Sequence, residues 1–172
     1  TGPLAQAAGH DINYIAVTGV LAAIGRRDQL PAIPLNVVGD YGGGGLYLAM
    51  GILAALLEAR TSGTGQVVDA AIVEGTASLA TMLYGMRGAG MQTESRGDNI
   101  LDTGAHFYDV YRCADDKLIS IGPIEGKFYS ELLRLLDIDA TSIGPHLDRT
   151  NWQKGRDVFA AKFAQRTQAQ WS

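Results

Sequence analysis

The sequence predicts a mixed α/β protein, α+β within this chain, with a helical first half and a small α+β second half. Two observations carry this. Apolar residues recur at helical spacing in three runs before residue 88, and alternate with polar ones in two short runs after residue 104. A polar, glycine-rich stretch, 88–104, separates the halves and reads as a linker or long surface loop. The expected organisation is a mostly helical part over 1–87, a linker over 88–104 and a small α+β domain over 105–172. The 172 residues are enough for a real hydrophobic core.

The elements follow in order. Ile12, Ile15, Val20, Ala23 and Ile24 predict a helix over 12–25, with Asp11 as its cap. Pro31 and Pro34 make 26–36 an extended loop. Residues 41–60 predict a helix too apolar on all sides to face solvent. Thr61-Ser62-Gly63-Thr64-Gly65 stops it. Residues 66–71 suggest a short strand and 73–86 another helix. Residues 106–112 and 118–121 alternate around the turn Ala114-Asp115-Asp116 and predict a hairpin. Residues 123–136 form an amphipathic helix with Phe128, Leu132, Leu133 and Leu136 on one face. After a loop over 137–149, the last helix starts near Trp152 and runs to Trp171-Ser172 without a stop signal.

Bulk properties exclude several roles. With 14 basic and 18 acidic residues the net charge is −4, and no basic run offers itself to a phosphate backbone. The single Cys113 rules out an internal disulfide and a thiolate cluster, which suits a reducing compartment. The longest apolar stretch, 46–57, is short for a bilayer and contains Gly51, so no membrane partner is expected. The chain begins at Thr1 rather than Met, and its end lies in an uncapped helix. It is therefore expected to be an internal piece of a longer protein.

Two short motifs can carry chemistry. Asp40 precedes Gly42, Gly43, Gly44 and Gly45 at the predicted start of a helix. As an N-cap it would satisfy a backbone amide, and the glycines would serve close packing. Alternatively, the glycines expose amides to a ligand, and a helix start of this kind suits a developing oxyanion beside a carboxylate base. The run lacks the spacing of a dinucleotide loop and the Lys-Ser/Thr of a phosphate loop. His10, before Asp11, has the side chain most used for acid/base work near neutral pH. His106 and His146 read as structural or exposed. Glu125 follows Gly122-Pro123-Ile124 in a first helical turn, where a carboxylate simply suits the helix dipole. Cys113 reads as a small core residue, and Asp115-Asp116 as a solvated turn. No metal-ligand spacing is visible.

Gly9-His10-Asp11-Ile12-Asn13-Tyr14 and Leu35-Asn36-Val37-Val38-Gly39-Asp40-Tyr41-Gly42-Gly43-Gly44-Gly45 resemble the family III CoA-transferases, the CaiB/BaiF-like proteins, and within them the racemase branch. Further matches are Thr61-Ser62-Gly63-Thr64-Gly65-Gln66-Val67-Val68-Asp69-Ala70-Ala71 and Phe107-Tyr108-Asp109-Val110-Tyr111-Arg112. The resemblance implies the end of the family's large domain, a linker and the small domain, in a fold whose two subunits interlock. It implies His10 and Asp40 as the acid/base pair, with Glu125 pairing with the histidine across a subunit interface. Asp11 and Tyr14, with Gly42 and Gly43, are implied near the substrate's CoA arm. The expected reaction is interconversion of (R)- and (S)-2-methylacyl-CoA by proton transfer, with CoA part of the substrate and no cofactor. Family transferases share the aspartate, as a nucleophile, but usually lack the histidine, so His10 favours racemisation over CoA transfer. The implied partners are an acyl-CoA and a second copy of the chain. The implied location is the cytoplasm for a bacterial protein, and mitochondria or peroxisomes for a eukaryotic one.

Overall fold

A computed structural model describes Pro3 and residues 5–172. The chain forms two compact units. One comprises the described residues of Thr1–Gly25 with Leu30–Glu94, the other Arg26–Gln29 with Ser95–Ser172.

In the first unit, α1 spans Asp11–Val17. His10, not Asp11, holds the cap position, in extended conformation with φ −122° and ψ 175°. Its N–H donates to Asn13 Oδ1 at 3.0 Å. The predicted helix over 12–25 breaks at Thr18-Gly19. The Thr18 hydroxyl donates to the Ile15 carbonyl at 2.8 Å, and Gly19 turns left-handed at φ +78°. A single turn, α2 (Val20–Ala23), follows.

The glycine-rich stretch is helical, but with a wider turn. Val37–Leu46 forms a π-helix that runs directly into α3 (Tyr47–Ser62). The Tyr41 N–H donates five residues back to the Asn36 carbonyl at 3.2 Å. α3 ends as its stop signal predicts, at Gly63 with φ +74°, whose N–H donates to the Ala59 carbonyl at 2.9 Å. The continuous helical run Val37–Ser62 has 26 residues. By length and composition alone it is long and apolar enough to cross a bilayer, unlike the shorter run legible in the sequence. The predicted burial of this helix is not seen: α3 has no buried residue, and Leu53 and Leu57 are exposed.

Residues 66–71 belong to no sheet, so the predicted strand is absent. A strand forms only where a neighbour supplies the ladder. Among the described residues the strands are the two of the second unit. The predicted helix over 73–86 is two helices, α4 (Ile72–Leu79) and α5 (Thr81–Gly88), with the break at Ala80.

The π-helix and α4 cross in near backbone contact. A Cβ built on Gly75 would lie 1.8 Å from the Gly43 carbonyl oxygen. One built on Gly43 would lie 2.5 Å from Thr76 Oγ1 and 2.9 Å from the Ile72 carbonyl oxygen. Only glycine fits at both positions, because the opposing atoms are largely backbone.

In the second unit, β1 (Asp109–Arg112) and β2 (Leu118–Ile121) pair antiparallel, with Asp109 opposite Ile121 and Arg112 opposite Leu118. The connection closes through the Cys113 N–H on the Lys117 carbonyl at 2.8 Å. Asp116 takes the left-handed position, φ +60°, which a short polar side chain tolerates. α6 (Gly126–Leu135) buries Tyr129 and Leu133, with Leu136 just beyond it. Phe128 is half exposed and lies off the expected apolar face. Two single 3₁₀ turns shape 137–151. Asp139 and Asp148 open them, each accepting from the N–H two residues on, at Thr141 and Thr150. α7 spans Trp152–Phe163, and Thr167 caps a separate last turn, α8 (Gln168–Trp171), where the sequence suggested one helix.

The core of this unit is aromatic: Phe107, Tyr111, Tyr129, Trp152, Phe159 and Phe163 meet largely edge to face. His106 sits fully buried among them, its Nε2 2.8 Å from the Tyr129 hydroxyl. His146 stacks on Tyr129 at 4.5 Å. Both histidines are therefore structural, as expected. Beside this core the buried Asp109 carboxylate receives Arg26 at 2.7 Å and also Arg156. Arg156 donates as well to the Gly104 carbonyl at 2.9 Å. A carboxylate buried between two guanidiniums ties the stretch 26–29, the end of the glycine-rich loop and α7 together. A buried carboxylate left without any partner costs about 3–5 kcal/mol.

Gly75→Ala is expected to lower the stability of the first unit by at least about 2 kcal/mol, because a backbone oxygen blocks the new methyl. Denaturant unfolding of wild type and variant checks this, and equal midpoints would refute the close crossing. Burial, with the Arg156 and His146 charges, lowers the His106 pKa from 6.5 to about 4. Between those values the unfolded chain takes up a proton that the folded one does not. This contribution is complete above pH 6.5 and is lost as pH falls toward 4. Unfolding at pH 7 and pH 4.5 is expected to show about 2 kcal/mol of extra acid sensitivity in the wild type relative to His106→Gln. Parallel profiles would show that the ring is not held neutral.

Candidate functional site

The first unit gathers four of the residues singled out in the sequence: His10, Asp11, Tyr14 and Asp40. The N-terminus of α1 presents His10 with its side chain exposed. Asp40 is the fourth residue of the π-helix and is also exposed. Asp11 is the link between them. Its carboxylate is buried, at 6% exposure, and its Oδ2 accepts the Asp40 N–H at 2.7 Å. The residue after His10 thus holds the backbone of Asp40 across 29 positions of sequence.

This corrects several expectations. Asp40 is not an N-cap, since Asn36 holds that position and the helix begins at Val37. The amides of its turn do not stand open for an oxyanion either. The Asp40 N–H is held by Asp11, and the Tyr41 N–H by Asn36. Gly42 and Gly43 turn toward α4: a Cβ on Gly42 would lie 3.0 Å from Leu79 Cδ1, and Gly43 packs on Thr76. Their Cα faces are therefore used in close helix packing.

Gly39 is the position that sequence reasoning missed. A Cβ there would lie 2.3 Å from Asp11 Oδ2 and 2.7 Å from its Cγ. The glycine immediately before Asp40 is what lets the Asp11 carboxylate reach the peptide. Nothing local signals this, because the two residues meet only through the fold. Thr76 was missed for the same reason: it is fully buried under Gly43, with no hydrogen-bond partner for its hydroxyl.

Tyr14 lies one turn along α1, its hydroxyl donating to the Gly9 carbonyl at 3.3 Å. It lines a small cavity of about 320 Å³ with Ala70, Ala71, Ile72 and Val73. A second, apolar cavity of about 380 Å³ lies against the first turn of the π-helix. Val37 and Val38 form one wall, with Val20, Ile24, Leu79 and Met82 among the others. Among the described residues no three His, Cys, Asp or Glu side chains are grouped to hold a metal ion. Glu125 belongs to the second unit. It is exposed at the N-cap of α6, and its side chain makes no capping bond there.

A fold with a glycine-rich π-helix between α1 and α4, followed by a hairpin and helix unit, is that of the family III CoA-transferases. The chain belongs to CoA-transferase family III, whose family pattern matches residues 1–172. It is 43% identical over 171 residues to a mouse (Mus musculus) protein named alpha-methylacyl-CoA racemase, covering 99% of this chain and 45% of that one. The human (Homo sapiens) protein of the same name is 41% identical over the same shares. The chain thus spans about half the length of the curated relatives it matches. Among solved structures, a CAIB/BAIF family protein from Brucella suis superposes with a TM-score of 0.73 at 21% identity, over 99% of this chain and 46% of that one. That likeness concerns the fold.

Proposed function

We propose that the protein containing this chain interconverts the (R) and (S) forms of 2-methylacyl-CoA thioesters. The observation that carries the reading is the Asp11 link, which gathers the His10 end of α1 and the Asp40 turn in one unit. The 41–43% identity to proteins named alpha-methylacyl-CoA racemase supports it.

A proton at C2 of a thioester is weakly acidic, because the carbanion delocalises onto the carbonyl oxygen as an enolate. Racemisation needs one base to take that proton and one acid to return a proton to the other face. His10 and Asp40 supply an imidazole and a carboxylate, both exposed and both at helix starts. In one direction the carboxylate removes the proton and the imidazolium replaces it; in the other the roles exchange. Glu125, brought to the histidine from a second subunit, would favour the imidazolium by its negative charge. The apolar cavity beside Val37 and Val38 would take part of the acyl chain. Proton transfer of this kind moves no electrons between molecules, so it asks for no redox cofactor. A homodimer is the working assembly in this reading, with an acyl-CoA as the substrate.

The test is exchange at C2 in D₂O, with the full-length protein and one enantiomer of a 2-methylacyl-CoA. Deuterium is expected at C2 together with loss of optical purity. His10→Ala and Asp40→Ala are each expected to lower the rate by about 10²–10⁴-fold. Wild-type rates in both variants would end the acid/base assignment. Transfer of CoA to an added free acid without C2 exchange, with an adduct on Asp40, would instead make Asp40 the nucleophile of a CoA-transferase.

A further inference from the structure

We infer that Asp11 is a positioning residue: it fixes the Asp40 turn against α1 rather than binding the substrate's CoA arm, the role its resemblance to family members implies. The kinetic part of this inference rests on the racemase reading, while the geometric part does not.

Four observations converge. The Asp11 carboxylate is turned into the protein, with 6% of the residue exposed. Its Oδ2 accepts the Asp40 N–H at 2.7 Å, a length typical of a bond to an ionised acceptor. Its Oδ1 is buried as well and has no protein partner, so the bond accepted from the Asp40 N–H is the one that holds the side chain, and little of the carboxylate is open to solvent. Finally, the space it occupies exists only because residue 39 is glycine.

The mechanical consequence follows from the placement. Asp11 is the first residue of α1 and His10 its cap, so α1 fixes the position of the Asp11 side chain. The bond to the Asp40 amide fixes the peptide between Gly39 and Asp40, and with it the direction in which the Asp40 side chain leaves the backbone. The bond adds to the packing on α4 at a wide turn whose residues Gly42–Gly45 carry no side chains of their own. In a dehydrated setting a charge-assisted bond is strong, and letting the peptide rotate would leave a buried carboxylate without its hydrogen bond. One carboxylate therefore sets the relative placement of both acid/base groups.

The substitutions Asp11→Asn and Asp11→Ala, in the full-length protein, separate this from a substrate-binding role. Asparagine keeps an acceptor oxygen of the same shape, whereas alanine removes it. Two readouts are taken: steady-state kinetics of C2 exchange, and hydrogen exchange of the Asp40 amide by NMR. Asp11→Ala is expected to lower kcat by about 100-fold, as a small misplacement of a reacting group does, with KM little changed. Asp11→Asn is expected to retain kcat within about fivefold. The Asp40 amide is expected to exchange slowly in wild type and Asp11→Asn, and at least about tenfold faster in Asp11→Ala. A rise in KM with kcat kept, in either variant, would overturn the inference and return Asp11 to the substrate. Equal Asp40 amide exchange in all three proteins would overturn it too, whether or not the wild type turns over. Absence of wild-type C2 exchange would defeat the racemase reading, and the amide exchange would still decide whether Asp11 holds Asp40. Should Asp11→Ala fail to fold, Asp11→Asn decides alone. Slow amide exchange with kcat nearly intact supports positioning by the bond, and fast amide exchange with kcat intact refutes it.

Discussion

The close approach of the π-helix to its neighbours is the constraint on which the first unit depends. Val37–Leu46 is gripped from two sides. Toward α1, Gly39 leaves room for the Asp11 carboxylate. Toward α4, Gly43 and Gly75 let two backbones come within a distance that any Cβ would forbid. A side chain at Gly39 would displace the Asp11 carboxylate, and one at Gly43 or Gly75 would push the π-helix and α4 apart. The wide turn also ends cleanly: where the glycines give way to Tyr47 and Leu48, the helix tightens to α geometry and runs on to Gly63. The residue types of the glycine run are thus explained by packing before any ligand is considered.

The second unit is built on a different principle. A ring of aromatic side chains encloses His106, and the buried Asp109 ties Arg26, Arg156 and the end of the glycine-rich loop to the strand. That loop is ordered by its own polar groups. The buried Asn99 donates from its side-chain amide to Asp102 Oδ2, while its backbone N–H donates to Asp102 Oδ1, both at 2.8 Å. Gly104 closes back on the Asn99 carbonyl at 3.1 Å. A stretch that looks like a flexible connector by composition is held in place by hydrogen bonds between residues three to five apart. Polarity alone does not distinguish a solvated loop from one that satisfies its own polar groups.

The candidate site shows the same division. His10 and Asp40 stand out in the sequence as candidates for moving a proton, because imidazole and carboxylate chemistry belongs to the side chains themselves. The tie between them was not. Asp11 looked like a cap, since its neighbours in sequence are a helix start, yet in the fold its carboxylate points away from its own helix to a peptide 29 residues on. The glycines looked like open amides, and most are instead the space that lets α4 and Asp11 approach.

By itself, the sequence determined the periodic and punctuated features: helix content, the stop at Gly63, the hairpin around Asp115-Asp116, the structural histidines and the chemical candidates. Each of these depends on residues within a few positions of one another. Tertiary structure alone decided the rest. It widened the glycine run into a π-helix, left 66–71 outside any sheet and put Tyr129 rather than Phe128 into the core. It also turned Asp11 onto Asp40. The physical reason is common to these outcomes. Propensity acts along the chain and is worth tenths of a kcal/mol per residue, whereas backbone contact and buried charge act across it and are worth several. Where the two disagree, the contact across the fold prevails.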